Sequence, residues 1–167
     1  MDKLLKKNID SIDKESFVHS KRREDMALNG QNPCYIVIAC SDSRVIPEEI
    51  FDASIGELFV IRTAGNTIGE NELASVAYGI NHLHIDKILV LGHTHCGAIH
   101  GALTHNKEQE LAPIMSKLAE SIGEETDEKE ASKANAKYWR DYLLKRYPNK
   151  EIKAGLYDLE TNKVIYL

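Results

Sequence analysis

The chain has 167 residues, 43% of them hydrophobic and 28% charged, with a formal charge of −5. That is the make-up of a globular domain long enough to bury its own core. The acidic balance argues against nucleic acid or an anionic membrane surface as partner, and no apolar run approaches the roughly 20 residues that span a bilayer.

The N-terminal stretch MDKLLKKNIDSIDKESF lacks an apolar h-region and a small-residue cleavage site, so a cytoplasmic location is expected. In that reducing compartment three cysteines are thiols or metal ligands rather than disulfides.

In chain order, residues 14–29 predict a polar, exposed helix, stopped by Gly30 and followed by Pro33. Residues 35–39, Tyr-Ile-Val-Ile-Ala, form a short run rich in β-branched side chains and predict a buried strand; residues 58–61 predict a second. Leu73, Val76, Ala77 and Ile80 fall at helical spacing, predicting an amphipathic helix over 70–84. Residues 87–92 predict a third strand, and 97–103 begin another helix.

The charged stretch 107–147 predicts helices near 109–121 and 130–147, with a solvated connection from 123 to 130. Residues 152–157 and 163–167 flank a turn and predict a terminal β-hairpin. Strands alternating with helices define an α/β fold: a central, mainly parallel sheet flanked by helices, closed by that hairpin. The chain reads as a single domain over 1–167, with a helical arm (1–30), a core (31–103), a helical segment (104–150) and the hairpin (151–167).

Two short motifs follow two of the strands. One is Cys40-Ser-Asp42-Ser-Arg44, the other His93-Thr-His-Cys96-Gly97. Ligands of parallel α/β sheets bind beyond the carboxyl ends of strands, so neighbouring strands can bring Cys40 against His93 and Cys96. Thiolate and imidazole are the ligands zinc prefers, and a three-residue spacing lets one tight turn aim His93 and Cys96 at one ion. No fourth cysteine is available to close the site, and three ligands with one open position is the arrangement of catalytic zinc.

If residues 40–44 are extended, alternation puts Cys40, Asp42 and Arg44 on one side. Arg44 then keeps Asp42 ionised and oriented. Asp42 either accepts a hydrogen bond from metal-bound water or takes the fourth position itself. Taken one at a time, each cysteine is an ordinary buried hydrophobe and the Asp–Arg pair a surface ion pair. Cys34 fits no constellation and keeps that plain reading.

The paired motifs resemble the signature of the β-carbonic anhydrases. The flanking text is similar too: Ser41-Asp-Ser-Arg-Val-Ile-Pro-Glu48, Gly56-Glu-Leu-Phe-Val-Ile-Arg62, Ala64-Gly-Asn66 and Gly155-Leu-Tyr-Asp-Leu-Glu-Thr161. The likeness is close over residues 30–103 and resumes thinly towards the C-terminus. It implies reversible hydration of carbon dioxide to bicarbonate and a proton, with one Zn2+ per subunit on Cys40, His93 and Cys96. It makes Asp42 and Arg44 the catalytic dyad. Gln31, Phe59, Ala64 and Tyr78 match substrate-pocket positions, and the Gly97 amide matches a substrate contact.

Members of the family are homodimers or homotetramers with pockets at the subunit boundary. Three positions depart from the pattern: His95 stands where Asp is frequent, Thr63 where Asn is frequent, and Val37 where members with an inhibitory bicarbonate site carry Trp. The same ligands would also serve a hydrolase of carbonyl sulfide or carbon disulfide, or a zinc-binding protein without turnover.

Overall fold

The computed structural model describes residues 21–167, together with Lys7. The chain forms two compact units, 1–32 and 33–167. The first contains α1 (Lys21–Asn29), whose end is marked by Gly30 at φ +83° donating its amide to the Met26 carbonyl. The earlier part of the helix expected over 14–29 lies outside the described residues.

The second unit runs β1 (Tyr35–Cys40), α2 (Pro47–Ile50), β2 (Leu58–Thr63), a 3-10 turn (Ala64–Asn66), α3 (Glu70–Asn81) and β3 (Lys87–His93). It continues through α4 (Gly97–Leu103), a 3-10 turn (Gln109–Leu111), α5 (Ala112–Ile122), α6 (Glu128–Arg146), β4 (Glu151–Asp158) and β5 (Lys163–Tyr166). The five strands make one sheet in the order β2-β1-β3-β4-β5. Its first four are parallel, and β5 returns antiparallel to β4 as the terminal hairpin. No helix among the described residues is long and apolar enough to cross a membrane.

Burial explains the apolar runs. Ile36 to Cys40 are all buried, because β1 lies mid-sheet with both faces covered. Alternation then sorts the side chains. Ile36, Ile38 and Val90 join Val76 and Ile80 of α3 and Trp139 and Leu143 of α6 in one cluster. Val37, Ala39 and Leu91 join Val45 and Tyr157 in another. Gly92 allows α6 to lie close on β3, since a Cβ there would meet the Ser132 carbonyl at 3.0 Å.

The boundaries differ from the sequence expectation where polar groups decide them. The helix expected over 70–84 ends at Asn81, where His82 caps it and the Ile85 amide folds back to Gly79. The one expected over 109–121 starts as a 3-10 turn and becomes α-helical only at Ala112, just before Pro113. α6 begins at Glu128, because the Asp127 carboxylate accepts the Glu130 amide at 2.9 Å and caps it. The four-residue α2, opened by Pro47, is too short for periodicity to reveal.

Candidate metal centre

Two strand ends and one helix start converge at the carboxyl edge of the sheet. Cys40 is the last residue of β1 and lies opposite Thr63 of β2. His93 is the last residue of β3, opposite Tyr157 of β4. Both were expected just past their strands; the hydrogen-bond ladders run one residue further than the apolar runs suggest. Cys96 precedes α4 as its N-cap.

The ligand atoms of Cys40, His93 and Cys96 lie within 4.8 Å of one another, and all three residues are buried. The two sulfurs are 4.0 Å apart. The His93 ring is oriented by its Nδ1, which lies 2.8 Å from the Thr94 carbonyl. A carbonyl only accepts, so Nδ1 carries the proton and Nε2 keeps its lone pair. That Nε2 is buried without any hydrogen-bond partner. A buried lone pair left unmatched beside two sulfurs is costly unless an ion takes it. The three residues fit a metal ion.

The two thiols are shifted in opposite directions. The neighbouring Cys96 thiol holds the Cys40 thiol well below its ordinary value against the opposing effect of burial, helped by the Asp42 and Gly65 amides. Those amides approach Cys40 Sγ at 3.4 and 3.3 Å. The Cys96 thiol is pushed upward, first by its hydrogen bond with Cys40 and then by burial.

Asp42 and Arg44 stand beside this group, though not on an extended strand. Residues 41–44 turn: the Val45 amide donates to the Asp42 carbonyl at 3.0 Å and the Arg44 amide to Asp42 Oδ1 at 2.9 Å. The expectation of an extended 40–44 segment is therefore corrected. A short acidic side chain that can bond the amide two residues on favours a turn over a strand.

The dyad forms all the same. Arg44 Nε donates to Oδ1 at 3.0 Å and Nη2 to Oδ2 at 2.8 Å. This two-pronged guanidinium holds the Asp42 carboxyl well below the usual carboxylate range. Arg44 Nη2 also donates to the His95 carbonyl at 3.1 Å, tying the two motifs together.

The remaining expected site residues are more scattered. Phe59 and Tyr78 stack with ring centroids 6.1 Å apart, but Tyr78 is 47% exposed and makes a tilted contact with His82. Ala64 is partly buried in the 3-10 turn. Gly97 is exposed at the start of α4, with open space where a Cβ would stand. Gln31 is exposed and belongs to the first unit. His95 lies outside the donor cluster, at φ +56°, with its Nε2 3.0 Å from Glu160.

Two residues of the quoted motifs take structural roles that the sequence did not assign to them. Arg62 donates from β2 to the Cys40 carbonyl at 3.0 Å and to the Asp42 carbonyl at 2.6 Å, bracing the turn. Gly65, at φ +66°, presents its amide to Cys40 Sγ from the 3-10 turn after β2.

A family model described as carbonic anhydrase matches residues 35–166. With solved neighbours that are β-carbonic anhydrases, the chain belongs to the β-carbonic anhydrase family. A carbonic anhydrase of Synechococcus elongatus is 46% identical over 92 residues, covering 52% of this chain and 34% of that protein. Carbonic anhydrase 2 of Mycobacterium tuberculosis is 46% identical over 74 residues, 44% of this chain and 36% of its own length. These matches thus span about a third of the curated relatives.

Among solved structures, the β-carbonic anhydrase CcaA superposes with a TM-score of 0.81 at 26% identity, covering 98% of this chain and 86% of its own. The Coccomyxa β-carbonic anhydrase, solved with acetazolamide, gives 0.79 at 25% identity over 98% and 84%.

Proposed function

We propose that the chain catalyses the reversible hydration of carbon dioxide to bicarbonate and a proton, with one zinc ion held by Cys40, His93 and Cys96. The observation that carries this is the buried triangle of two sulfurs and an unpartnered imidazole nitrogen. Two thiols and an imidazole suit zinc among the common divalent ions, and three protein ligands leave its fourth position open. When bound, zinc supplies Lewis-acid chemistry, lowering the pKa of coordinated water so that hydroxide is available near neutral pH.

The chain's own residues complete the site. Two thiolates offset most of the ion's charge, so a proton acceptor nearby matters more than it would beside three imidazoles. Asp42, kept ionised and oriented by Arg44, would accept a hydrogen bond from a water held by the ion. Phe59, Ala64 and Tyr78 offer apolar surface to a small uncharged substrate. The Gly97 amide donates where negative charge develops on its oxygen.

We extend the reading to a cytoplasmic homo-oligomer. Three free thiols suit a reducing compartment, and one structural neighbour is described as tetrameric.

Stopped-flow hydration of carbon dioxide, with metal content measured on the same sample, tests the proposal. Activity proportional to bound zinc and lost on chelation is expected. Folded, zinc-loaded protein without hydration activity contradicts it, and turnover of carbonyl sulfide in its place would move the substrate.

A further inference from the structure

Behind the metal centre lies a buried polar knot that the mechanism does not use. Asn135, on α6, is 0% exposed. Its Oδ1 sits 3.0 Å from Trp139 Nε1 and 2.7 Å from Ser121 Oγ of α5. An indole nitrogen only donates, which fixes the amide's orientation and leaves Nδ2 to donate to the Gly65 carbonyl at 2.8 Å.

Gly65 in turn is held in a left-handed conformation, with Leu118 and Ala98 packed where a side chain would begin. Its own amide meets Cys40 Sγ at 3.3 Å. A leucine would fill the space of Asn135, so the amide is not there for packing. Its one hydrogen bond outside α5 and α6 goes to the residue whose amide faces the Cys40 sulfur.

We propose that Asn135 is a positioning residue of the metal centre: by fixing the Gly65 carbonyl it aims the Gly65 amide at the Cys40 sulfur. A donor on a ligating sulfur draws electron density from it, so the bound ion keeps more of its positive charge and the ligand a fixed direction. The inference rests on the zinc reading above and assigns it a residue some 95 positions from Cys40, an offset that follows from numbers 40 and 135 in the chain.

The test uses the whole chain as wild type, Asn135→Leu and Ser121→Ala. Each is loaded with cobalt(II), to record the thiolate-to-cobalt charge-transfer band, and with zinc, to time metal loss to a chelator. Asn135→Leu keeps roughly the shape and removes the bond to Gly65 together with those to Ser121 and Trp139. Ser121→Ala loses a bond to the same amide but leaves Gly65 held, so it reports structural loss alone.

The expected result is a shifted band and zinc loss roughly 10- to 100-fold faster in Asn135→Leu, the range typical of residues that orient metal ligands. Ser121→Ala should melt lower with band and rate unchanged. An unmoved band and rate in Asn135→Leu overturns the inference, as do equal shifts in both variants. If Asn135→Leu does not fold, Asn135→Ser, one atom too short to reach Gly65, is judged by the same criteria. A wild-type chain that gives no thiolate-to-cobalt band overturns the metal reading itself, an outcome separate from an unmoved band in the variant.

Discussion

Replacing Gly65 with alanine tests how tightly the metal centre is built. The residue has φ +66°, and an added Cβ would meet Leu118 Cδ2 at 3.0 Å, Ala98 Cβ at 3.2 Å and Leu118 Cδ1 at 3.2 Å. Leu118 is 0% exposed, so it has nowhere to retreat. The backbone cost of a left-handed alanine is about 1–2 kcal/mol and the overpacking about 1–3, together roughly 2–5 kcal/mol. That is a large share of the 5–15 kcal/mol typical of a domain, on the order of a third.

Urea unfolding of the metal-free protein would show the loss as a lower midpoint at unchanged slope. A double-mutant cycle separates the two parts. Leu118→Ala alone costs about 2–5 kcal/mol as a cavity. In the double variant the new methyl occupies part of that cavity, so the combined loss should fall short of the sum by about 1–2 kcal/mol. Strict additivity, or a neutral Gly65→Ala, would refute the packing argument.

Asp42→Asn should keep the metal and lose about 10²- to 10⁴-fold in hydration rate, the scale of a positioned proton acceptor; a near-normal stopped-flow rate removes Asp42 from the mechanism. Cys96→Ala should fold and lose its metal, read by elemental analysis, because a sulfur that ligates contributes little else to a site already packed by Ile99 and Leu118.

Arg44→Ala gives a signed pH dependence. Arg44 depresses the Asp42 pKa, so its stabilisation is present above the ordinary carboxylate value and lost as pH falls through the depressed one. With Arg44 54% exposed, solvent screening keeps the deficit of the variant small. It should be full above about pH 5 and narrow below about pH 4. Denaturation at a series of pH values checks this, and a deficit that widens in acid contradicts it.

The strands were legible because burial on both sides of β1 and β3 leaves near-continuous aliphatic runs, and the alternation with helices implied parallel pairing. The order β2-β1-β3-β4-β5 was not legible, since no local residue encodes which strand neighbours which. The candidate ligands stood out as residue types, two cysteines and a histidine close after two predicted strands. Their strand membership was hidden, because Cys40 and His93 interrupt the aliphatic pattern while their backbones continue the ladder.

The turn at 41–44 was misjudged for a related reason. Asp42 serves both as half of a charged pair and as the acceptor that bends its own backbone, and alternation accounts only for the first. Arg62, Gly65 and Asn135 act through backbone groups brought close by the fold, so neighbouring sequence carries almost no trace of their roles.

The most direct measurement is X-ray absorption at the zinc edge of the zinc-loaded protein in solution. Cys40, His93 and Cys96 predict two sulfurs at about 2.3 Å, one imidazole nitrogen at about 2.0–2.1 Å and a fourth light atom. A shell of oxygens alone, or of four sulfurs, would contradict it.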